Sequence, residues 1–310
     1  MAEKKLDSLK LNLLREVADL EGVPQGAYSI RVDGDTFDKK SSENIVIEKK
    51  TDLPGIDIYI KAGTKRESVH IPVILAESGI KETVYNDFHI GEGADVLIIA
   101  GCGIHNCGIQ DSEHSGIHSF YVGKGAKVKY VEKHYGEGDG NGKNVMNPTT
   151  YVELGENSYM EMETAQIKGV DSTRRVTTGK VMNNATLIVR EKIMTHGEQF
   201  AETEFDVDLC GDGAGTHVIS RSVAKGRSSQ RFISRIRGNA VCTGHTECDA
   251  IIMDDATVSA IPEILAHHPE ASLIHEAAIG KIAGEQLIKL MTLGLTEKEA
   301  EEEIVNGFLR

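Results

Sequence analysis

Residues His89–Ile99 read HIGEGADVLII, and residues Tyr121–Val131 read YVGKGAKVKYV. In both, a Gly-x-Gly turn delivers an alanine, and an alternating strand-like run follows it. Aligning further segments on that small residue extends the series. The aligned positions are Ala94, Ala126, Ser158, Ala185, Ala214, Ala240 and Ala256, at intervals of 32, 32, 27, 29, 26 and 16 residues. A drifting period of about two strands per unit is the mark of a solenoid, whose rungs cannot cover their apolar faces alone and stack on one another. Val128–Val131, Tyr159–Met162 and Phe205–Leu209 alternate with period two, which excludes helical repeats and leaves a sandwich of hairpins as the alternative. The expected fold is an all-β core, a parallel β-helix (β-solenoid) over residues 66–265. Residues 1–65 form an N-terminal appendage of one helix and short strands, and residues 266–310 a C-terminal helical domain.

The flanks support this division. Leu6, Leu9, Leu13, Val17 and Leu20 recur every three or four residues before Gly22 and Pro24, the pattern of an amphipathic helix with its stop. Ile45–Ile47 and Ile56–Ile60 look like strands, separated by the turn residues Asp52–Gly55. At the other end, Gly284–Gly294 reads as a helix with Leu287, Ile288 and Met291 on one face. Thr296-Glu-Lys-Glu299 is a capping box opening a second helix with an Ala300, Ile304, Phe308 stripe.

Composition narrows the function classes. The 310 residues carry 34 basic and 48 acidic side chains, a formal charge of −14, so the basic footprint of a nucleic-acid binder is missing. No run approaches the roughly 18 apolar residues of a membrane span. The start MAEKKLDSLK has no apolar h-region, and five cysteines at 102, 107, 210, 242 and 248 form no disulfide framework, so a cytoplasmic protein is expected. Thirty-two glycines and no tryptophan suit many tight turns between short strands.

The chemistry concentrates between Gly244 and Lys281, where Cys248 in Thr-Glu-Cys-Asp is followed by the dipeptide His275-Glu276. Thiolate, imidazole and carboxylate are the protein ligand types that hold iron or zinc. A buried cysteine in a strand, with an ordinary His-Glu leading a helix, is the plain alternative. A second group, Cys102, His105 and Cys107, is followed by His114 and His118. Its spacing fits no zinc pattern; a second metal site or a sulfur acceptor is one reading, and a glycine-rich turn loop that simply carries its Cys and His exposed is the plain alternative. His267-His268 before Pro269 reads as a loop. Gly280-Lys281 fails the phosphate-loop pattern, because Ile282 follows the lysine and His275 stands where the first glycine is needed.

Taken together, Glu247-Cys-Asp-Ala-Ile-Ile252, His275-Glu-Ala-Ala-Ile-Gly-Lys-Ile282, Gly294-Leu-Thr-Glu-Lys-Glu-Ala300 and the closing Ile304-Val-Asn-Gly-Phe308, with Ile219–Gly226 upstream, resemble the SufB/SufD family of iron–sulfur cluster assembly scaffolds. The likeness is close over residues 205–310 and is one of strand pattern over 69–204, and the chain resembles a short, SufB-like form. The resemblance implies a right-handed parallel β-helix and a scaffold rather than an enzyme, with ATP hydrolysed by a partner. That partner is a SufC-type ABC ATPase docking on the C-terminal helices. A transient iron–sulfur cluster forms where two subunits meet, here a homodimer, and passes to acceptor proteins after a donor supplies sulfur. Whether reduced flavin takes part is left open. The family's cluster cysteine falls on Cys248, its glutamate on Glu276 and the histidine of its SufD-type partner on His275, while Cys102 lies where a sulfur-receiving cysteine is suspected. Two departures stand out: the chain ends at Arg310, soon after the Asn-Gly-Phe motif, and its N-terminal region is short. Against this reading stand a cytosolic β-helix enzyme acting on carbohydrate and a metal-free structural dimer, since fold alone does not fix function.

Overall fold

The computed structural model describes residues 6–309; residues 1–5 and 310, at the outer ends of the first and last expected units, lie outside the described residues. In chain order the elements are α1 (Ser8–Ala18), β1 (Ala27–Val32), β2 (Asp35–Lys40), β3 (Ile45–Lys49), β4 (Gly55–Ile60), β5 (Lys65–Leu75), β6 (Lys81–Ile90) and β7 (Asp95–His105). They continue with β8 (Ser112–Val122), β9 (Lys127–Glu137), β10 (Asn144–Met146), β11 (Thr149–Leu154), β12 (Tyr159–Lys168), β13 (Ser172–Val181) and β14 (Thr186–Thr195). The last are β15 (Phe200–Leu209), β16 (Gly215–Ala224), β17 (Ser229–Gly238), β18 (Thr243–Ile252), β19 (Thr257–Ala266), β20 (Ser272–Gly280), α2 (Gly284–Thr292) and α3 (Glu297–Phe308).

The strands wind into a β-solenoid of about eight turns. One sheet runs β2-β1-β5-β7-β9-β12-β14-β16-β18-β20; the facing sheet runs from β19 through β17, β15, β13, β10 with β11, β8, β6 and β4 to β3. Successive rungs pair in parallel and in register. Alternation therefore puts every second side chain inside: β15 reads buried at Ala201, Thr203, Phe205, Val207 and Leu209. The apolar part of the interior includes Phe88 stacked on Phe120 at 4.4 Å, with Phe205 and Phe232 further along. Each such side chain contributes roughly 1.5–3 kcal/mol by leaving water.

The register corrects one step of the repeat. Lys127, Tyr159, Thr186, Gly215, Thr243 and Ser272 stack on one another. The small buried residue that succeeds Ala214 is therefore Cys242, 3% exposed, rather than Ala240. Ala256 precedes β19 in the facing sheet, so the 16-residue step crosses from one corner of the coil to the opposite one. The corner selects a small side chain, and a cysteine fills it as well as an alanine.

Both ends of the coil differ from a simple three-part chain. Within residues 1–65, β1 pairs in parallel with β5 and β4 with β6, so both sheets continue into this segment before the antiparallel strands β2 and β3 close them. Helix α1 buries Leu13, Leu14, Val17 and Ala18 against Ile74, with Ile99 and Tyr135 beside them. It lies close on β7 because Gly101 has no side chain: a Cβ there would stand 2.6 Å from the Val17 carbonyl oxygen. Within residues 266–310, β20 is still a solenoid rung, and the helices begin at Gly284. The capping box at α3 is formed: Thr296 Oγ1 accepts from the Glu299 N–H, and the Thr296 N–H donates to Glu299 Oε2. The face that α3 buries is centred on Ala300, Val305 and Leu309, one position on from the expected Ile304. Val305 and Leu309 meet Val223 and Met253. Helix α2 buries none of its residues.

Candidate functional site

Three parallel ladders of inward-facing residues build the site. The central one passes from Ala100 through Glu132, Thr164, Glu191 and Ser220 to Cys248 and Ala277. Two residues earlier along the strands runs Tyr130, Met162, Val189, Val218, Thr246 and His275; two residues later, Cys102 lies beside His134 and Gln166. Cys102 and Cys248 thus line the same interior, five ladder steps or roughly 24 Å apart at about 4.8 Å per step.

Between the two thiols the interior is polar. Arg175 reaches in from β13 and donates to Glu132 Oε2, and its Nε lies 3.5 Å from Glu191 Oε1. Tyr130 donates to the other Glu132 oxygen at 3.0 Å and shares a hydrogen bond of 2.8 Å with His118 Nδ1. Glu191 accepts from Thr203 Oγ1 at 3.1 Å and from Ser220 Oγ at 2.9 Å. Each ionisable group responds to its setting. Burial pushes Glu132 up, but the Arg175 charge and the neighbouring histidines outweigh it and hold the carboxyl well below the usual range. For Glu191 burial wins over Arg175, and its carboxyl is raised. Burial drives His118 down to about 4, so it is neutral at physiological pH. Thr164 Oγ1 and Gln166 Nε2, on the rung between Glu132 and Glu191, are buried with no partner.

Cys248 ends this column. It is 1% exposed on β18, flanked in register by Ser220 and Ala277. Burial, and secondarily the Glu191 and Asp249 charges, push its thiol up to about 12. His275 follows on β20, the last strand of its sheet, with Nδ1 3.1 Å from Thr246 Oγ1. Glu276 faces the opposite way, as the strand period requires, onto the outer surface. There its Oε2 is 3.5 Å from His245 Nε2. His245 stacks on His217 at 4.7 Å, and His217 Nε2 is 3.8 Å from Glu247 Oε2. The structure thus brings Cys248 and His275 to adjacent rungs with inward orientation, and sets Glu276 on the other side of the sheet with His217, His245 and Glu247. The outer histidines are single residues on an alternating strand, with no spacing in the sequence to mark them.

The second candidate group is divided. Cys102 faces inward at 1% exposure with its thiol pushed well up by burial, whereas His105 and Cys107 meet outside, Nε2 to Sγ at 3.0 Å. His114 and His118 are buried on β8. Among the described residues no three His, Cys, Asp or Glu side chains converge to hold a metal ion. The fit to iron within a single chain is partial: a soft thiol and an imidazole lie on adjacent strands at the end of the coil, two residues apart in register, with too few donors to complete a coordination sphere.

The solenoid interior thus carries a polar column with a thiol, Cys248, one rung from the end of its sheet. Residues 79–308 match the family model described as SUF system FeS cluster assembly, SufBD core domain. The chain belongs to the SufBD family. Its relatives include an iron–sulfur cluster assembly SufBD family protein of Archaeoglobus fulgidus, 30% identical over 84% of this chain and 70% of that one. Proteins of the same name occur in Methanothermobacter thermautotrophicus, 27% identical over 88% of this chain and 66% of the relative, and in Methanocaldococcus jannaschii, 28% identical over 88% and 87%. The chain thus spans about two thirds of the length of the first two relatives.

Proposed function

We propose that this chain is a scaffold on which an iron–sulfur cluster is assembled as cargo at the Cys248 end of the solenoid and then passed to acceptor proteins. The observation that carries the reading is the placement, on the last two strands of one sheet, of the inward Cys248 on β18 and the inward His275 on the edge strand β20, two residues apart in register. Edge strands are ordinarily covered or paired, and here β19 and β20 expose Ile261, Ile264, Ile274 and Ile279. A second copy laid against this end forms a homodimer and adds a second Cys248 and His275, filling out the inward donor set that one chain lacks. A thiol pushed up to about 12 is protonated in the closed chain, so iron binds only once the end is opened. The opening is assigned to a SufC-type ABC ATPase gripping α2, whose Ile288 and Met291, with Leu293 just beyond its end, are exposed. On this reading the chain hydrolyses nothing itself. Five free cysteines suit a reducing cytoplasm, and no described helix is long and apolar enough to cross a membrane.

Anaerobic reconstitution with ferrous iron and inorganic sulfide, followed by visible absorption and metal analysis, tests the assignment. Wild-type protein is expected to take up a cluster, and Cys248→Ser to lose it while keeping its circular dichroism and its oligomeric state. Cys248→Ser with wild-type iron and sulfide content overturns the assignment.

A further inference from the structure

The two sheets arrange charge differently on their outer faces. On the sheet that ends at β19, acid stacks on base. Glu202 lies between Arg174 and Arg231 in register and pairs with both, and Arg235 pairs with its neighbours Asp206 and Glu263. One row of the other sheet breaks this rule. It runs from Lys133 on β9 through Ala165 on β12 to Lys192 on β14 and Arg221 on β16, all on the outer face. Lys192 and Arg221 are direct register neighbours, an arrangement in which like charges repel. Arg190, two residues earlier on β14, brings a fourth cation to the same patch, and Asp249, next to Arg221, closes the row. The chain carries 48 acidic side chains against 34 basic ones, yet no acid stands between these two.

The row walls a cavity of about 300 Å³. Ala165 makes the space: its methyl group sits between Lys133 and Lys192, which are two ladder steps or roughly 10 Å apart at about 4.8 Å per step. Val131 and Ile219 line it with apolar surface, and Glu132 and Glu191 border it with their carboxylates turned into the solenoid. Helix α1 covers β5, β7 and β9, and α3 sits over Val223 and Met253, so the cavity lies between the two helices. Among the described residues whose side chains face it, Lys133, Arg190, Lys192 and Arg221 are cations and Glu163 is the one carboxylate, itself held by Lys129 at 2.9 Å. Lys133 pairs with Asp19 and Arg190 with Glu161 at the rim, surface pairs that a ligand can displace at little cost. Arg221 has no ion pair or hydrogen bond among the described residues.

We propose that this cavity binds a small multivalent oxyanion, of the phosphorylated or polycarboxylate class, on the outer face of β9, β12, β14 and β16. Arg221 presents a planar fork that meets two oxygens of one acid group, and Lys133 and Lys192 act as point charges on either side of Ala165. A ligand with two or more negative charges balances Lys192 and Arg221 together and relieves their repulsion, which a singly charged ion does only in part. The volume is at the small end for small-molecule sites and suits an ion the size of pyrophosphate or citrate. The site does not depend on the cluster-assembly reading: it faces away from Cys248 and uses none of its neighbours in the interior column.

The test is isothermal titration calorimetry of the full chain with pyrophosphate, with citrate and with acetate as the singly charged control, at low ionic strength. One equivalent of pyrophosphate or citrate is expected to bind, about tenfold or more tighter than acetate, and the tighter of the two tells a phosphate ligand from a carboxylate one. Added salt should weaken it, as screening requires. Arg221→Gln should weaken binding about tenfold, because it removes the fork and one charge. Ala165→Glu should abolish binding by filling the gap with a carboxylate, with circular dichroism showing that the fold is kept. Lys81→Gln, an exposed lysine at the start of β6 on the other sheet, should bind as wild type does. Absence of binding by both pyrophosphate and citrate at millimolar concentration overturns the proposal. Binding that survives Arg221→Gln and Ala165→Glu at wild-type strength also overturns it, since the ion then sits elsewhere.

Discussion

The interior column contains two carboxylates bridged by one guanidinium, and the arithmetic of that arrangement predicts opposite effects for two similar substitutions. Glu132 has Arg175 and Tyr130 on its oxygens and is held well below the usual carboxyl range, so Glu132 and Arg175 form the neutral pair. Glu191 is the carboxyl in excess of that pair, raised by burial despite Arg175. Removing one member of a buried pair strands the other, at about 3–5 kcal/mol, so Arg175→Met and Glu132→Gln should each destabilise by that order. Glu191→Gln keeps an oxygen that accepts from Thr203, turns an amide N–H toward Ser220 Oγ, which can accept, and removes the surplus ionisable carboxyl, so it should lie within about 1 kcal/mol of wild type or be more stable. The pH dependence has opposite signs. The depressed Glu132 contributes stability above the ordinary glutamate range, and this is lost only as pH falls toward its lowered folded value. The raised Glu191 favours folding below its unfolded value, and that contribution is lost as pH rises through its folded value, so the Glu191→Gln advantage should be largest near neutrality and fade on acidification. Urea unfolding followed by circular dichroism, at about pH 7 and about pH 5, reads both effects. A Glu191→Gln protein as destabilised as Glu132→Gln at neutral pH would refute the charge count.

Further outcomes are expected elsewhere. Gly169 has φ +69°, and a Cβ there would stand 1.8 Å from the Gly136 carbonyl oxygen, so Gly169→Ala should destabilise by about 2 kcal/mol or more in the same unfolding assay. Ile288→Asp with Met291→Asp changes exposed positions on α2 and should leave the unfolding midpoint unchanged while abolishing co-purification of the ATPase proposed to dock there; retained co-purification would place docking elsewhere. That pair separates docking from folding more cleanly than truncation at 284, because α3 covers Val223 and Met253 and its loss bares them.

How much of this was legible beforehand follows from what each signal depends on. Period-two alternation and the small corner residue are local demands of a strand and a tight corner. The solenoid, the helix at Ser8–Ala18 and the capping box at Thr296 were therefore written in the chain, along with the motif around Cys248. The slip from Cys242 to Ala240 arose because a corner selects size, which several residue types satisfy. What the sequence could not decide was facing and neighbourhood across rungs. Register carries Glu132, Glu191 and Cys248, far apart in the chain, into one inward ladder. The same alternation turns His275 inward and Glu276 outward, though they are adjacent in the chain. It also separates Cys102 from His105 and Cys107, three residues the sequence groups together. Arg175 is an unremarkable member of an Arg-Arg pair until the facing sheet directs it at two carboxylates. Local periodicity follows from backbone geometry alone, but which charges meet depends on parallel strands about 30 residues apart stacking in one register, and only the tertiary structure fixes that.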